Sequence, residues 1–334
     1  MTNGNHSKPA SHPSEILHAE DLQKSYGPRA ALRSLSFSLN AGRILGFLGP
    51  NGAGKTTAIR VLTTILEPDA GHFTIDGLSS EYPEKIRRKI GVLPENLGFP
   101  RQITGIEYLT FFGQLYGRSA MDARTYGMEL LNDVGLEQRA RSLISSYSHG
   151  MRQRIGIARA LINDPTVVFL DEPTLGLDPR GQQELLSLIQ RIAAERDVGV
   201  ILCSHALSEI EAVCDDVIIL MSGRVIASGS VVEVVQQSQR NTLRIQIPPM
   251  YVSEAQRTLQ AMPDAFVVTL TNEMAGFLRV ELVTSGDGAS PEDIHVNNRI
   301  LQALIRAQIP VLGFGAEGGR LQDIFLQLTE ETIK

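Results

Sequence analysis

Tryptophan is absent from the chain, and cysteine occurs only twice, as Cys203 and Cys214. Two thiols cannot build a disulfide framework. Both stand in apolar contexts and read as packed free thiols, small hydrophobes in a reducing cytoplasm. No stretch approaches the ~18–20 apolar residues that cross a bilayer, and the longest runs, PTVVFL and VGVILC, have strand length. If this protein works at a membrane, other chains do the spanning. The first fourteen residues, MTNGNHSKPASHPS, are polar and hold no hydrophobic secretion segment. Residues 1–14 are therefore expected to be a disordered tail. A lysine/arginine stripe is missing too, and the net charge is −6, so nucleic acid finds no electrostatic footprint. Long-period repeats and sustained heptads are likewise absent.

What is present is the balance of a globular protein with a full core, 43% apolar and 20% charged over 334 residues. That length fits two domains, or one large domain with a small appendix. From Ile16 to about Gly46, short apolar segments alternate with turn residues (SYGPRA, LNAGR), which predicts antiparallel strands. RILGFLG then runs into GPNGAGKTT and the apolar-periodic AIRVLTTIL, a strand–loop–helix. Pro68 to Gly71 read as a turn before the strand HFTIDG, and residues 84–160 read as mostly helical. Within them TGIE, Thr104 to Glu107, matches a capping box ahead of YLTFFGQLYG. PTVVFLDEP and GVILCSH are buried strands flanking the helix QQELLSLIQRIAAER. Strands alternating with helices predict a parallel α/β sheet. After about residue 235 the order becomes strand, helix, strand, strand, helix, strand, with a last helix in RLQDIFLQLTEET. That suits a small α+β ferredoxin-like domain over 236–334.

The chemistry begins at Gly49 to Thr57, a full GxxxxGK(S/T) match lying between a predicted strand and a predicted helix. The backbone N–H groups of Gly49, Asn51, Gly52, Ala53 and Gly54 are placed to face phosphates. Lys55 reaches the β/γ-phosphates, Thr56 can ligate Mg²⁺, and Thr57 follows it in the helix. VVFLDEP ends a buried strand with two adjacent carboxylates, Asp171 and Glu172. Such a pair is costly to desolvate unless a metal or a reacting water uses it. Asp171 suits a water-bridged hold on Mg²⁺, and Glu172 can polarise a water in line with the γ-phosphate. An Asn-Lys-x-Asp guanine reader is excluded because the chain contains no Asn-Lys pair. Adenine is favoured. His205 follows a buried strand, where a histidine is either a satisfied structural residue or a γ-phosphate contact; the order of motifs favours the second. Tyr26 precedes a Gly-Pro turn, and its ring could stack on a base. A second helix start, SSYSHGMRQRI, places Ser148 and Gly150 where an anion would bind.

In this order the motifs over residues 16–230 closely resemble those of the ATP-binding subunits of ABC transporters. GPNGAGKTT resembles their P-loop, YSHGMRQR their signature, VVFLDE their second acidic motif, TLGLDP their D-loop and CSHALSEIEAVCD their switch-histidine segment. The resemblance implies a P-loop ATPase core over 15–235. It comprises a parallel sheet, an antiparallel β subdomain and a helical subdomain near 84–160. It also implies ATP and Mg²⁺ as ligands, with Thr56, Glu95 and Asp171 toward the metal and Asp178 toward the nucleotide. In the family two such subunits face head to tail, so Ser148 and Gly150 are expected to complete the partner's site rather than their own. A homodimer, a separate transmembrane permease and a place on the cytoplasmic face of the plasma membrane follow from the same resemblance. The signature departs from the family's commonest LSGGQ, with Tyr147, His149 and Met151 replacing leucine, glycine and glutamine. Glu95 stands where many members carry glutamine, which resembles exporters of drugs, antibiotics or lipids. Tyr108, Phe111, Phe112 and Tyr116 resemble the helical region that receives the permease, although packing inside a helix pair is the commoner fate of such rings. A soluble ATPase of the same family, acting on ribosomes or nucleic acid, is the alternative. One P-loop, no coiled coil, no CxxC and no basic tail speak against it.

Overall fold

Strands β1 (Glu15–Tyr26) and β2 (Arg29–Asn40) form a hairpin in which Tyr26 pairs with Arg29. Gly27, with φ 59°, takes the left-handed conformation that such a two-residue turn needs. The computed structural model describes residues 14–95, 98–100, 102–238, 242–262, 266–272, 276–282, 291–317 and 321. Strand β4 (Ala70–Ile75) pairs antiparallel with β1, and β5 (Leu78–Ser79) pairs with β4. Leu17, Leu22, Leu35 and Phe73 from these strands are fully buried.

A parallel sheet continues from this antiparallel part. The bridge is one residue pair, Arg224 with Ser34, between β10 (Arg224–Ser230) and β2. Beyond β10 come β9 (Asp216–Met221), β3 (Ile44–Leu48), β8 (Gly199–Cys203), β7 (Val167–Asp171) and β6 (Ile90–Leu93). The last five run parallel to one another, and β10 runs antiparallel to β9. ILGFL and GVILC are buried at every position, as strands covered on both faces must be. Helices α1 (Lys55–Leu62), α6 (Pro179–Arg196) and α7 (Leu207–Val213) follow β3, β7 and β8.

The stretch expected to be mostly helical does hold α2 (Pro83–Arg87), α3 (Gly105–Leu115), α4 (Ala120–Asp133) and α5 (His149–Ala160). It also holds β6, a strand within a stretch that the sequence predicts as mostly helical. Four apolar residues, IGVL, are too few for periodicity to tell strand from helix. The capping box forms as TGIE predicts. Thr104 Oγ1 accepts from the Glu107 N–H at 3.3 Å, and the Glu107 carboxylate accepts from the Thr104 N–H at 2.9 Å. Helix α4 is tied down through Tyr126, whose ring lies beside the Arg118 and Arg196 guanidiniums. Its hydroxyl donates to Asp164 and accepts from Arg196 Nη1 at 3.0 Å. Burial pushes this phenol up to about 12.

The chain divides into two compact units after Val231, and α8 (Val231–Ser238) begins there. The second unit runs β11 (Thr242–Gln246), α9 (Val252–Gln260), β12 (Phe266–Asn272), β13 (Phe277–Leu282), α10 (Pro291–Arg306) and β14 (Gly313–Glu317). Its sheet order is β12-β13-β11-β14, antiparallel throughout. That is the split arrangement expected of a ferredoxin-like domain, with Leu243, Ile245, Leu259, Leu278, Val280, Ile300 and Leu304 in its core. The last expected helix lies outside the described residues except for Leu321.

No membrane-crossing helix exists among the described residues. One close approach holds α5 to the sheet. A Cβ added to Gly91 on β6 would collide with the Ala160 carbonyl at the end of α5. Gly91→Ala is therefore expected to destabilise the first unit by at least ~1–3 kcal/mol through overpacking. A urea titration following that unit checks it, and an unchanged midpoint would show that β6 and α5 can separate freely.

Candidate functional site

Strands β3, β8 and β7 are parallel neighbours, and their C-terminal ends carry the chemistry. Phe47 of β3 and Asp171 of β7 both pair with Cys203 of β8. The phosphate loop, the Asp171–Glu172 pair and Ser204–His205 therefore emerge side by side. The loop, the acid pair and His205 line a cavity of about 560 Å³ together with Tyr26, Arg29, Glu95 and Leu175. Asn51, Gly52, Ala53, Gly54, Lys55, Thr56 and Thr57 all belong to its wall. Gly49 lies just behind it, where its carbonyl accepts from Lys55 Nζ at 2.5 Å.

The loop depends on glycine for space as well as for conformation. Gly54, the N-cap of α1, has φ 115°, and a Cβ there would meet the Ala31 carbonyl oxygen at 2.5 Å. A Cβ on Gly49 would collide with the Leu220 carbonyl. No side chain caps α1, so its first N–H groups remain for an anion. Lys55 is buried, its ammonium held by Gly49 and, at 3.4 Å, by the Pro50 carbonyl. Tyr26 stands at the rim, 46% exposed. Arg29 was not anticipated. Its guanidinium lies within 3.1 Å of where a Gly52 Cβ would be, a cation beside the loop. The two-residue turn that sets Arg29 opposite Tyr26 was a usable signal for it.

The acids are held against their own repulsion. Burial, then the neighbouring charges of Glu172 and Glu95, push the Asp171 carboxyl up to about 6, while Lys55 and Arg60 oppose the shift. Glu172 has φ 49°, a left-handed backbone that costs a non-glycine residue ~1–3 kcal/mol and clusters at functional sites. Its carboxylate accepts from His205 Nδ1–H at 2.9 Å. An ionised carboxylate can only accept, so this bond assigns the proton to Nδ1 and leaves Nε2 as the other ring nitrogen. Behind the histidine, buried Ser204 donates to buried Glu209 at 2.7 Å and accepts from the Ala206 N–H at 3.0 Å. That pair fixes the turn carrying His205.

Three expected nucleotide residues lie elsewhere. Ser148, Gly150 and Asp178 line a second cavity of about 420 Å³ that shares no lining residue with the first. Ser148 caps α5 by accepting from the Met151 N–H at 3.3 Å, and Asp178 caps α6 by accepting from the Gly181 N–H at 2.9 Å. Tyr147 is buried, its hydroxyl donating to the Arg139 carbonyl at 2.8 Å. The aromatics of α3 and its C-cap sort by side: Tyr108 is buried, whereas Phe111 and Tyr116 are exposed.

Residues 32–175 match the family described as ABC transporter. The chain is 30% identical to the linearmycin resistance ATP-binding protein of Bacillus subtilis over 322 residues, 96% of this chain and 100% of that protein. It is 32% identical to the daunorubicin/doxorubicin resistance ATP-binding protein of Streptomyces peucetius over 320 residues, 95% of this chain and 93% of that protein. Among solved structures, an ATP-binding subunit of an ABC transporter superposes with a TM-score of 0.59 at 31% identity, covering 66% of this chain and 92% of that one. With relatives of this kind aligned along nearly its whole length, the chain belongs to the ABC transporter ATP-binding proteins, and it is an ATPase.

Proposed function

We propose that this chain works as a pair of copies, with ATP closed between them, and drives a separate membrane permease that exports its cargo. The carrying observation is the separation of the two phosphate-directed helix starts. Lys55 and the start of α1 belong to one cavity, while Ser148, Gly150 and the start of α5 belong to another. Within one chain they cannot serve the same phosphates. In a head-to-tail pair, α5 of each copy covers the loop of the other, adding a helix dipole worth ~0.3–1 kcal/mol, more when partly buried. Asp178, beside Ser148, approaches the partner's nucleotide in the same way.

In the first cavity the loop N–H groups and Lys55 hold the phosphates, with Tyr26 against the base and Arg29 beside Gly52. Glu172 takes the proton of the attacking water, and His205 orients that carboxylate through Nδ1. A divalent cation fits the donor set. Thr56, Glu95 and Asp171 offer oxygen ligands, and the crowding that raises Asp171 is what a cation would relieve. No cluster of three or more ligands able to hold a metal by itself occurs among the described residues. Mg²⁺ does not need one, because it takes one or two carboxylates plus phosphates and waters. When bound it neutralises charge on the phosphate oxygens. Phe111 and Leu115, one turn apart on α3, and Tyr116 are exposed apolar residues suited to the permease. That contact would hold the protein at the cytoplasmic face of the membrane. The two resistance proteins among its relatives, named for linearmycin and for daunorubicin/doxorubicin, support an antibiotic-like cargo.

Glu172→Gln is expected to lower turnover by ~10²–10⁴, the usual worth of a general base, with ATP binding intact. Wild-type turnover in that variant would remove the assignment. The pH dependence of stability tests the acid cluster. The folded chain keeps the Asp171 proton up to about 6, whereas the unfolded chain releases it near 3.8. Folded protein therefore binds more protons between those values, and stability falls as pH rises through that window. Asp171→Asn should abolish this fall, leaving the nucleotide-free variant more stable above pH ~6 by on the order of 1–2 kcal/mol after solvent screening. Parallel stability curves for the two proteins would contradict the electrostatic account.

A further inference from the structure

One hydrogen bond joins a wall residue of the first cavity to a wall residue of the second. His149 is the first residue of α5, and its Nε2 lies 2.8 Å from the carbonyl oxygen of Leu175. A carbonyl can only accept, so Nε2 carries the proton and donates it. Leu175 lines the first cavity, while His149 lines the second. The bond therefore crosses from one to the other within a single chain.

The segment that receives this bond is short and tightly wound. The Glu172 N–H donates to the Cys203 carbonyl at 3.0 Å, the Leu175 N–H to the Glu172 carbonyl at 3.2 Å, and the Leu177 N–H to the Thr174 carbonyl at 3.1 Å. Gly176 has φ 79°, and a Cβ added there would come within 3.4 Å of His149 Nε2. Buried Thr174 anchors the inner side of the turn, whereas Leu175 is 45% exposed. The outer side is thus held by the imidazole, and the inner side by the strand end. Glu172, with its left-handed backbone, belongs to the same turn. Its carboxylate direction follows from how the turn is fixed.

We propose that His149 is a positioning residue for hydrolysis: by holding the Leu175 carbonyl it fixes residues 172–177 and so aims the Glu172 carboxylate. This rests on Glu172 being the base, as proposed above. Because α5 is also the helix offered to the partner's phosphates, the same imidazole links events at one nucleotide to the base of the other. A displacement of the α5 start is passed to Leu175 through one hydrogen bond, and from there to Glu172 through another.

Steady-state ATP hydrolysis by the full chain tests this. His149→Ala is expected to lower kcat about three- to tenfold, the span that one ordinary hydrogen bond allows, with KM and ATP affinity within about twofold of wild type. His149→Gln, which restores an N–H donor, should recover most of the loss. In a Glu172→Gln background His149→Ala should change the residual single-turnover rate by less than about twofold, since it acts through the missing carboxylate. His149→Leu replaces the alanine variant if that one fails to fold. Wild-type kcat without the imidazole, a change confined to KM, no rescue by glutamine, or an undiminished effect in the Glu172→Gln background would each overturn the proposal. Near-normal turnover in Glu172→Gln alone would remove the base itself, a failure distinct from these.

Discussion

Parallel pairing of β3, β8 and β7 is the constraint on which the site depends. Neighbouring strands lie ~4.8 Å apart, and in a parallel sheet their carboxyl ends reach the same edge. That places the phosphate loop, His205 and the Asp171–Glu172 pair within reach of one ligand. No long-range folding of loops is required. The strands can be uniformly apolar because both faces are covered, so polar residues are confined to the ends, where the first cavity opens. A change that slid β7 against β8 by one residue would reverse the faces of its side chains and separate the acids from the loop.

At that edge the protein accepts unfavourable terms. Asp171 is half-buried beside two other carboxylates, and Glu172 holds a backbone conformation that glycine would adopt more easily. Neither feature stabilises the fold. Both make sense under the proposal that a cation and phosphates match this charge. The His205–Glu172 bond and the buried Ser204–Glu209 pair keep this arrangement from relaxing. The site is thus supported from behind by hydrogen bonds and left electrostatically strained in front.

Much of this was legible in the residues because the chemistry is local. A loop that must expose backbone N–H groups needs glycine at fixed intervals, and the following lysine and threonine declare the ligand. The capping box at Thr104 was readable for the same reason. Features that depend on distant pairing were not. Strand β6 is four apolar residues inside a helical stretch, and only its pairing with β7 makes it a strand. Arg29 is one arginine in a β-hairpin until the fold brings that hairpin to Gly52. Tyr108 and Phe111 are three residues apart on α3, yet one is buried and the other exposed. The His149 contact joins residues 26 apart in sequence, and no pattern announces it. In the second unit, periodicity predicted the βαββαβ order, whereas the β12-β13-β11-β14 arrangement came only from the pairing.

In the head-to-tail pair proposed above, the division of phosphate-directed groups between two cavities makes each chain half of two sites. Counting ATP tightly held by defined mixed dimers tests this most directly. One dimer pairs a Lys55→Ala copy with a Ser148→Arg copy; the other pairs a doubly substituted copy with wild type. If sites form between chains, the first dimer keeps one intact site and holds ATP there, while the second holds none. If each chain completes its own site, the second dimer holds ATP and the first does not, and the head-to-tail account fails.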